Sequence, residues 1–139
     1  MTTPVVLTLR FEKTAHLTIQ AELNGLPARF IVDTGASASC IDLAALASYG
    51  LRLNQVKHQG GGVGSASMQV TAIRRTSLIL NGLDCSALRL YALDLSHVNL
   101  GLQAAKVEAV VGIIGADLLR KYQALIDYQR KILLLQQPV

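Results

Sequence analysis

The sequence is poor in cysteine, histidine and aromatic residues. Its two cysteines, Cys40 and Cys85, lie far apart and form no C-x-x-C pattern. They therefore indicate neither a disulfide framework nor a cysteine-rich metal site. The three histidines are equally dispersed, so we expect no bound metal and no other cofactor.

Long apolar runs are also absent. No stretch reaches the roughly 18 uninterrupted apolar residues that a membrane-spanning helix needs. Residues 1–10 lack the charged start and the apolar stretch of a signal peptide. We therefore expect a cytoplasmic chain without a membrane segment. An upstream targeting or anchor segment is left open.

Charge is sparse as well, at 16% of residues with a net charge of +4. The densest basic runs are Arg74-Arg75, Arg120-Lys121 and Arg130-Lys131, and none is interleaved with aromatic residues, as single-strand nucleic-acid sites are. We interpret these runs as solvated ends of strands and helices and expect no nucleic-acid partner.

Hydrophobic residues make up 51% of the 139 residues. That is much for a small domain, and it favours a second subunit that covers part of the surface.

Alternating apolar residues and turn residues predict a mainly β chain. Strands are expected at 16–23, 28–32, 51–59, 68–80, 83–90, 107–114, 124–127 and 131–135, with a weaker candidate at 5–9. Asn-Gly turns are expected at 24–25 and 81–82. Asp42 and Asp117 are candidate caps for short helices over 43–49 and 118–122, and 94–106 is expected to be a loop, with a helical turn left open. The pattern indicates one closed or folded antiparallel β domain over 1–139.

One segment combines a buried strand with an acid, namely Phe30-Ile31-Val32-Asp33-Thr34-Gly35. A carboxylate that follows a buried apolar run is costly unless it is paired, hydrogen-bonded or protonated. Thr34 offers a hydroxyl, and Gly35 allows a sharp turn with its N–H towards the carboxylate. The alternative is an aspartate in an ordinary Asx-turn at a strand end. The triplet alone does not decide between the two.

The context of this triplet resembles the retropepsin family of aspartic proteases, and most closely its bacterial single-domain members. The resemblance rests on 30–37 together with Ile113-Ile114-Gly115-Ala116-Asp117-Leu118-Leu119. It implies a retropepsin-type β domain with a flap hairpin and one or two short helices. It also implies an endopeptidase in which an Asp dyad activates a water. The chain has one such triplet, so the second aspartate would come from a second copy in a homodimer.

The resemblance assigns roles to residues on both segments. Asp33 would be catalytic and supported by Thr34 and Gly35. Thr34 would hydrogen-bond the opposing loop of the dimer. The peptide substrate would contact Ala36, Ile113, Ile114 and a flap that carries Gly60, Gly61, Gly62, Val63 and Gly64. A plain hairpin is the alternative for that glycine-rich tip, whereas a phosphate cradle is excluded because no Lys-Ser/Thr follows it.

Two positions depart from the retroviral pattern. Ser37 stands where the retroviral enzymes tend to have an acid, and Asp117 where they have a basic residue or asparagine. We expect Asp117 to act as a helix cap. A catalytically silent dimerisation or peptide-binding module with the same fold is the alternative function.

Overall fold

The computed structural model describes residues 3–54 and 70–137, and within these ranges the chain is mainly β. The strands are β1 (Val5–Thr8), β2 (Arg10–Phe11), β3 (Leu17–Leu23), β4 (Leu26–Val32), β5 (Cys40–Asp42), β6 (Thr71–Ala72), β7 (Leu78–Leu80), β8 (Leu83–Asp84), β9 (Tyr91–Leu93), β10 (Gly112–Ile114), β11 (Leu125–Asp127) and β12 (Ile132–Leu135). The helices are a 3₁₀ turn at Leu43–Ala45, α1 (Ser96–Ala104) and α2 (Ala116–Lys121). Neither α-helix of the described ranges is long and apolar enough to cross a membrane.

The described strands form two sheets. The smaller has the order β1-β12-β11 and is antiparallel. The larger has the order β6-β9-β5-β10-β4-β3-β7-β8, with β2 paired to β3. Strand β10 lies between β4, to which it is parallel, and β5, to which it is antiparallel. The chain between β4 and β5 therefore crosses the end of β10.

Both predicted Asn-Gly turns are confirmed. Leu23 pairs with Leu26 across Asn24-Gly25, and Leu80 pairs with Leu83 across the second turn. All four turn residues have positive φ, between 45° at Asn81 and 84° at Gly82. This is the backbone of a type I′ turn, which matches the twist of the strands that it joins.

The core follows from the alternation of the strands. In β3 the side chains of Leu17, Ile19, Ala21 and Leu23 are all buried, and Leu23 is fully so. Together with Phe30 and residues of both sheets they form the main apolar cluster. A second, smaller cluster consists of Ile31, Leu102, Val107 and Val110. It packs α1 against β4 and the segment that precedes β10.

The helix predicted at 43–49 is wrong in length, although its cap is confirmed. The Asp42 carboxylate accepts a hydrogen bond from the Ala44 N–H at 3.3 Å, but only Leu43–Ala45 is helical. The rest of the segment makes hydrogen bonds to other parts of the chain. Asn24 donates its side-chain amide to the Tyr49 carbonyl at 2.7 Å, and Gly50 ends the turn with a φ of 64°.

The region 94–106, expected to be a loop with a helical turn left open, contains the nine-residue helix α1. Leu102 is the only buried residue of this helix, so its sequence shows no apolar period. Tertiary hydrogen bonds stabilise it. The Asn99 side chain donates to the Asp42 carboxylate and to the Val110 carbonyl, both at 3.1 Å, and accepts from the Val110 N–H at 2.8 Å.

The strand predicted at 107–114 is shorter, because only Gly112–Ile114 pairs as a strand. Before it, the Val110 N–H donates to the Asn99 side chain, and only Val107 and Val110 are buried, whereas Glu108 and Ala109 are exposed. The strand predicted at 83–90 ends at Asp84, and β9 follows it. The strands predicted at 51–59 and 68–80 are described only in part. Leu53 and Ile73 form an isolated β-bridge, and the second segment contains two separate strands, β6 and β7.

Candidate active site

Asp33 is the first residue after β4, and its backbone continues the ladder to β10. Its N–H donates to the Ile114 carbonyl at 2.9 Å. The Gly35 N–H donates to the Asp33 carboxylate at 2.9 Å, a bond that both the catalytic interpretation and the Asx-turn alternative predict. The three residues before Asp33 are buried, whereas Asp33, Thr34 and Gly35 are exposed in the single chain. Asp33 is therefore exposed at the end of a buried strand.

Gly115 allows the close approach between this loop and the β10–α2 corner, and Gly112 allows β10 to lie close to β4 and β5. A Cβ on Gly115 would lie 2.7 Å from the Ala36 carbonyl oxygen and 2.9 Å from that of Ala38. A Cβ on Gly112 would clash with the Cys40 carbonyl and lie 2.8 Å from the Phe30 ring. No other residue type leaves room for the backbone at these points. The Ala116 N–H also donates to the Ala36 carbonyl at 2.7 Å.

Ser39 and Asp117 join the two segments through side chains. The Asp117 carboxylate accepts from the Ser39 N–H at 2.9 Å and from the Ser39 hydroxyl at 2.7 Å. The Ser39 hydroxyl in turn accepts from the Gly115 N–H at 2.9 Å. Ser39 is fully buried, so each of these bonds satisfies a group that water does not reach. We call these three residues the clamp.

The role expected for Asp117 is therefore wrong. Gly115 is the N-cap of α2 and makes no side-chain cap bond, and Asp117 lies in the first turn of the helix. Its carboxylate does accept from the Leu118 N–H at 2.8 Å, but its other bonds reach Ser39. The sequence offered one signal for this pair. Ser39 is a polar residue at the start of a buried strand, and a buried hydroxyl needs a partner.

Asp33 and Thr34 line an open depression of about 320 Å³. Ile31 and Val32 also line it, and the rest of its lining comes from segments that no sequence motif connects with Asp33, namely Ala15, His16, Leu17, Ile126 and Tyr128. Ile126 belongs to β11 of the smaller sheet, and Tyr128 to the turn that joins β11 to β12. The depression therefore lies between the Asp33 loop and the β11 end of that sheet.

The other predicted site residues are placed as follows. Ala36 is half-buried in the loop, and Ile113 is half-buried beside the smaller apolar cluster. Ile114 is fully buried in the main core, so a substrate could reach it only after the packing around β10 opened. Residues 60–64, the predicted flap tip, lie outside the described residues.

Neither cysteine is suited to nucleophilic chemistry. Burial raises the pKa of the Cys40 thiol, and the carboxylates of Asp117, Asp42 and Asp33 raise it further against a backbone hydrogen bond at Ile113 that lowers it. Burial raises the pKa of Cys85 to about 11. Both thiols are therefore protonated at neutral pH, whereas the thiolate is the nucleophile.

Among residues 3–54 and 70–137 no group of three or more His, Cys, Asp or Glu side chains could hold a metal ion.

Comparison with known proteins agrees with this geometry. A family model described as aspartyl protease matches residues 19–118, and no curated protein matches the sequence significantly. The structure is similar to the retroviral protease-like domain of Ddi1 from Leishmania major, with 20% identity, a TM-score of 0.60 and coverage of 88% of this chain and 90% of that one.

Two further solved structures share the fold. A retropepsin-like aspartic protease from Rickettsia conorii has 16% identity, a TM-score of 0.59 and coverage of 97% and 90%. EIAV protease complexed with the inhibitor HBY-793 has 20% identity, a TM-score of 0.52 and coverage of 85% and 98%. The family match spans most of the chain and includes the Asp33 triplet, so the chain belongs to the aspartyl protease family, and its fold is of the retropepsin type.

Proposed function

We propose that the protein is an aspartic endopeptidase whose active site forms between two copies of the chain. The observation that carries the proposal is the position of Asp33. Its side chain is exposed and lines an open depression, and its carboxylate accepts a hydrogen bond from the Gly35 N–H of the same loop. The chain has one Asp-Thr-Gly triplet, and an aspartic dyad needs two carboxylates. Each copy therefore supplies one Asp33.

The chemistry follows from two carboxylates close together. They cannot both ionise readily, so the pair shares one proton. The ionised Asp33 takes a proton from a water, and the protonated Asp33 donates a hydrogen bond to the carbonyl of the scissile peptide. Attack of that water gives a tetrahedral intermediate. Thr34 would hydrogen-bond the opposing loop, and the Gly35 N–H holds each carboxylate in place.

The substrate is a peptide, and apolar side chains beside the site favour hydrophobic residues in it. Ile31 and Val32 line the depression with Asp33, and Ala36 and Ile113 are the substrate contacts of the described part of the chain. The predicted flap residues 60–64 would cover the peptide from the other side. A cytoplasmic location and the absence of a nucleic-acid partner stay predictions.

The free edge of β11 is where we place the second copy. Among the described strands β11 pairs with β12 alone, and β12 is covered on its other side by β1. Leu125 is 56% exposed, and Ile126 lines the Asp33 depression. A two-fold axis pairs a strand with its own antiparallel copy, and here it would bring the two depressions towards each other. The N-terminal and C-terminal strands pair within one chain, unlike the interleaved termini of retroviral enzymes.

Replacement of Asp33 by Asn tests the catalytic role. It keeps the shape of the side chain and removes the proton acceptor, so peptide cleavage should fall at least about a thousandfold. Profiling of a peptide library by mass spectrometry between pH 4 and 7 measures this. Wild-type cleavage should be fastest at mildly acidic pH and sensitive to pepstatin-like inhibitors, because the dyad works with one proton.

Asp84→Asn is the matched control, since Asp84 is also exposed and accepts from the N–H two residues ahead, that of Ser86. It should cleave like the wild type. If Asp33→Asn cleaves as fast as the wild type at a concentration where dimers are confirmed, the enzymatic proposal fails. Peptide binding without cleavage in either protein would instead support the silent binding module.

Replacement of Ser39 by Ala tests the clamp. It removes a donor to Asp117 and leaves the Gly115 N–H without its acceptor, so the free energy of unfolding should fall by about 1–3 kcal/mol. The displaced loop should lower kcat more than it raises KM. Ser37→Ala, two positions earlier at an exposed site, makes the same chemical change and should alter neither. Equal effects of the two variants in denaturant titration and kinetics would contradict the clamp.

Replacement of Leu125 by Asp tests the dimer interface. It would place two like charges across the two-fold axis and should weaken dimerisation at least about tenfold. Analytical ultracentrifugation measures the dissociation constant. Leu100→Asp is the control, because Leu100 is similarly exposed, at 63%, on α1. A dimer that tolerates Leu125→Asp, or that Leu100→Asp disrupts, would place the interface elsewhere.

A further inference from the structure

Four arginines lie together on three adjacent backbone segments, well apart from Asp33 in the sequence. The Arg74 N–H donates to the Arg52 carbonyl at 2.7 Å, and the Ile73 N–H donates to the Leu90 carbonyl at 2.9 Å. These bonds place 52–54, 73–75 and 89–90 side by side. We call Arg52, Arg74, Arg75 and Arg89 the arginine cluster. All four are exposed.

The arginine cluster lines two adjoining depressions of about 470 and 330 Å³. Arg74, Arg75 and Thr76 belong to both. Arg89 contributes to the larger depression and Arg52 to the smaller. None of these residues lines the depression that contains Asp33. These two depressions are therefore distinct from the depression that contains Asp33.

The positive charge here is not balanced by the described part of the chain. No aspartate or glutamate of residues 3–54 and 70–137 lines either depression, and the ion pairs of these ranges, Arg10–Glu12 and Arg29–Glu108, do not involve the cluster. Like charges within about 8–10 Å repel each other at physiological salt. A bound anion would relieve that repulsion. From the sequence alone, Arg74-Arg75 are expected only to be a solvated strand end.

The lining of the depressions indicates which anion fits. A guanidinium group offers paired N–H donors that match a carboxylate, and Asn54, Thr76 and Ser77 add polar groups beside them. No aromatic side chain of the described residues lines either depression, so a single-stranded nucleic acid would find no surface on which to stack its bases. We propose that the arginine cluster binds an acidic peptide segment that carries several Asp or Glu residues.

Fluorescence anisotropy with a labelled oligoglutamate peptide tests this proposal on the full chain. The wild type should bind, and more weakly as salt rises from about 50 to 150 mM. Arg74→Gln combined with Arg75→Gln should weaken binding about tenfold or more, the usual result of losing hydrogen bonds to charged groups. The exposed sites allow the variant to fold, which thermal unfolding verifies.

The control is Arg120→Gln combined with Arg130→Gln, which removes the same net charge at two exposed positions elsewhere. It should retain the wild-type affinity within about twofold. Three results would overturn the proposal: no binding by the wild type, equal losses in the two variants, or tighter binding of an oligothymidylate than of the peptide. The test does not use peptidase activity, so its outcome is independent of the proposed function.

Discussion

Residues 33–39 have to pass from β4 to β5 across the end of β10, which lies between these strands. This constraint organises the whole site. Gly115 provides the space for the crossing, because a side chain on it would meet the Ala36 and Ala38 carbonyls of the loop, whereas Gly112 lets β10 lie close to Phe30 of β4 and Cys40 of β5. The bonds between Ser39, Asp117 and Gly115 then fix the loop to the corner where β10 becomes α2. Asp33 is positioned as a consequence, at the open end of a closely packed base.

This arrangement holds a carboxylate without enclosing it. Asp33 is exposed, and its depression is open to solvent in the single chain. Exposed apolar groups lie nearby. Tyr128, 65% exposed, packs edge-on against Phe11 at 5.3 Å between ring centroids, and Leu125 lies on the edge of β11. A second copy at this edge would cover apolar surface and also supply the second carboxylate of the dyad. We therefore place the dimer interface at β11 and the shared active site at Asp33 together.

The sequence predicted features whose signal is local. The Asn-Gly turns are examples, because the dipeptide itself supplies the positive φ values. The Asp33 triplet and Gly115 could be paired through the family resemblance. Features that depend on distant partners could not be predicted. The residues next to Asp117 in the sequence predict a helix cap, but its hydrogen-bond partner Ser39 is 78 residues away. Helix α1 depends on Asn99 and one buried leucine, so no periodic pattern indicates it.

The central claim is that one active site uses the Asp33 of two chains, and a mixing experiment tests it most directly. Wild-type chain and Asp33→Asn chain are combined in equal amounts at fixed total concentration and allowed to exchange partners. Random pairing leaves about one quarter of the dimers with two intact aspartates. We therefore predict about one quarter of the wild-type rate. A rate of about one half would mean that each chain acts alone, and it would contradict the account.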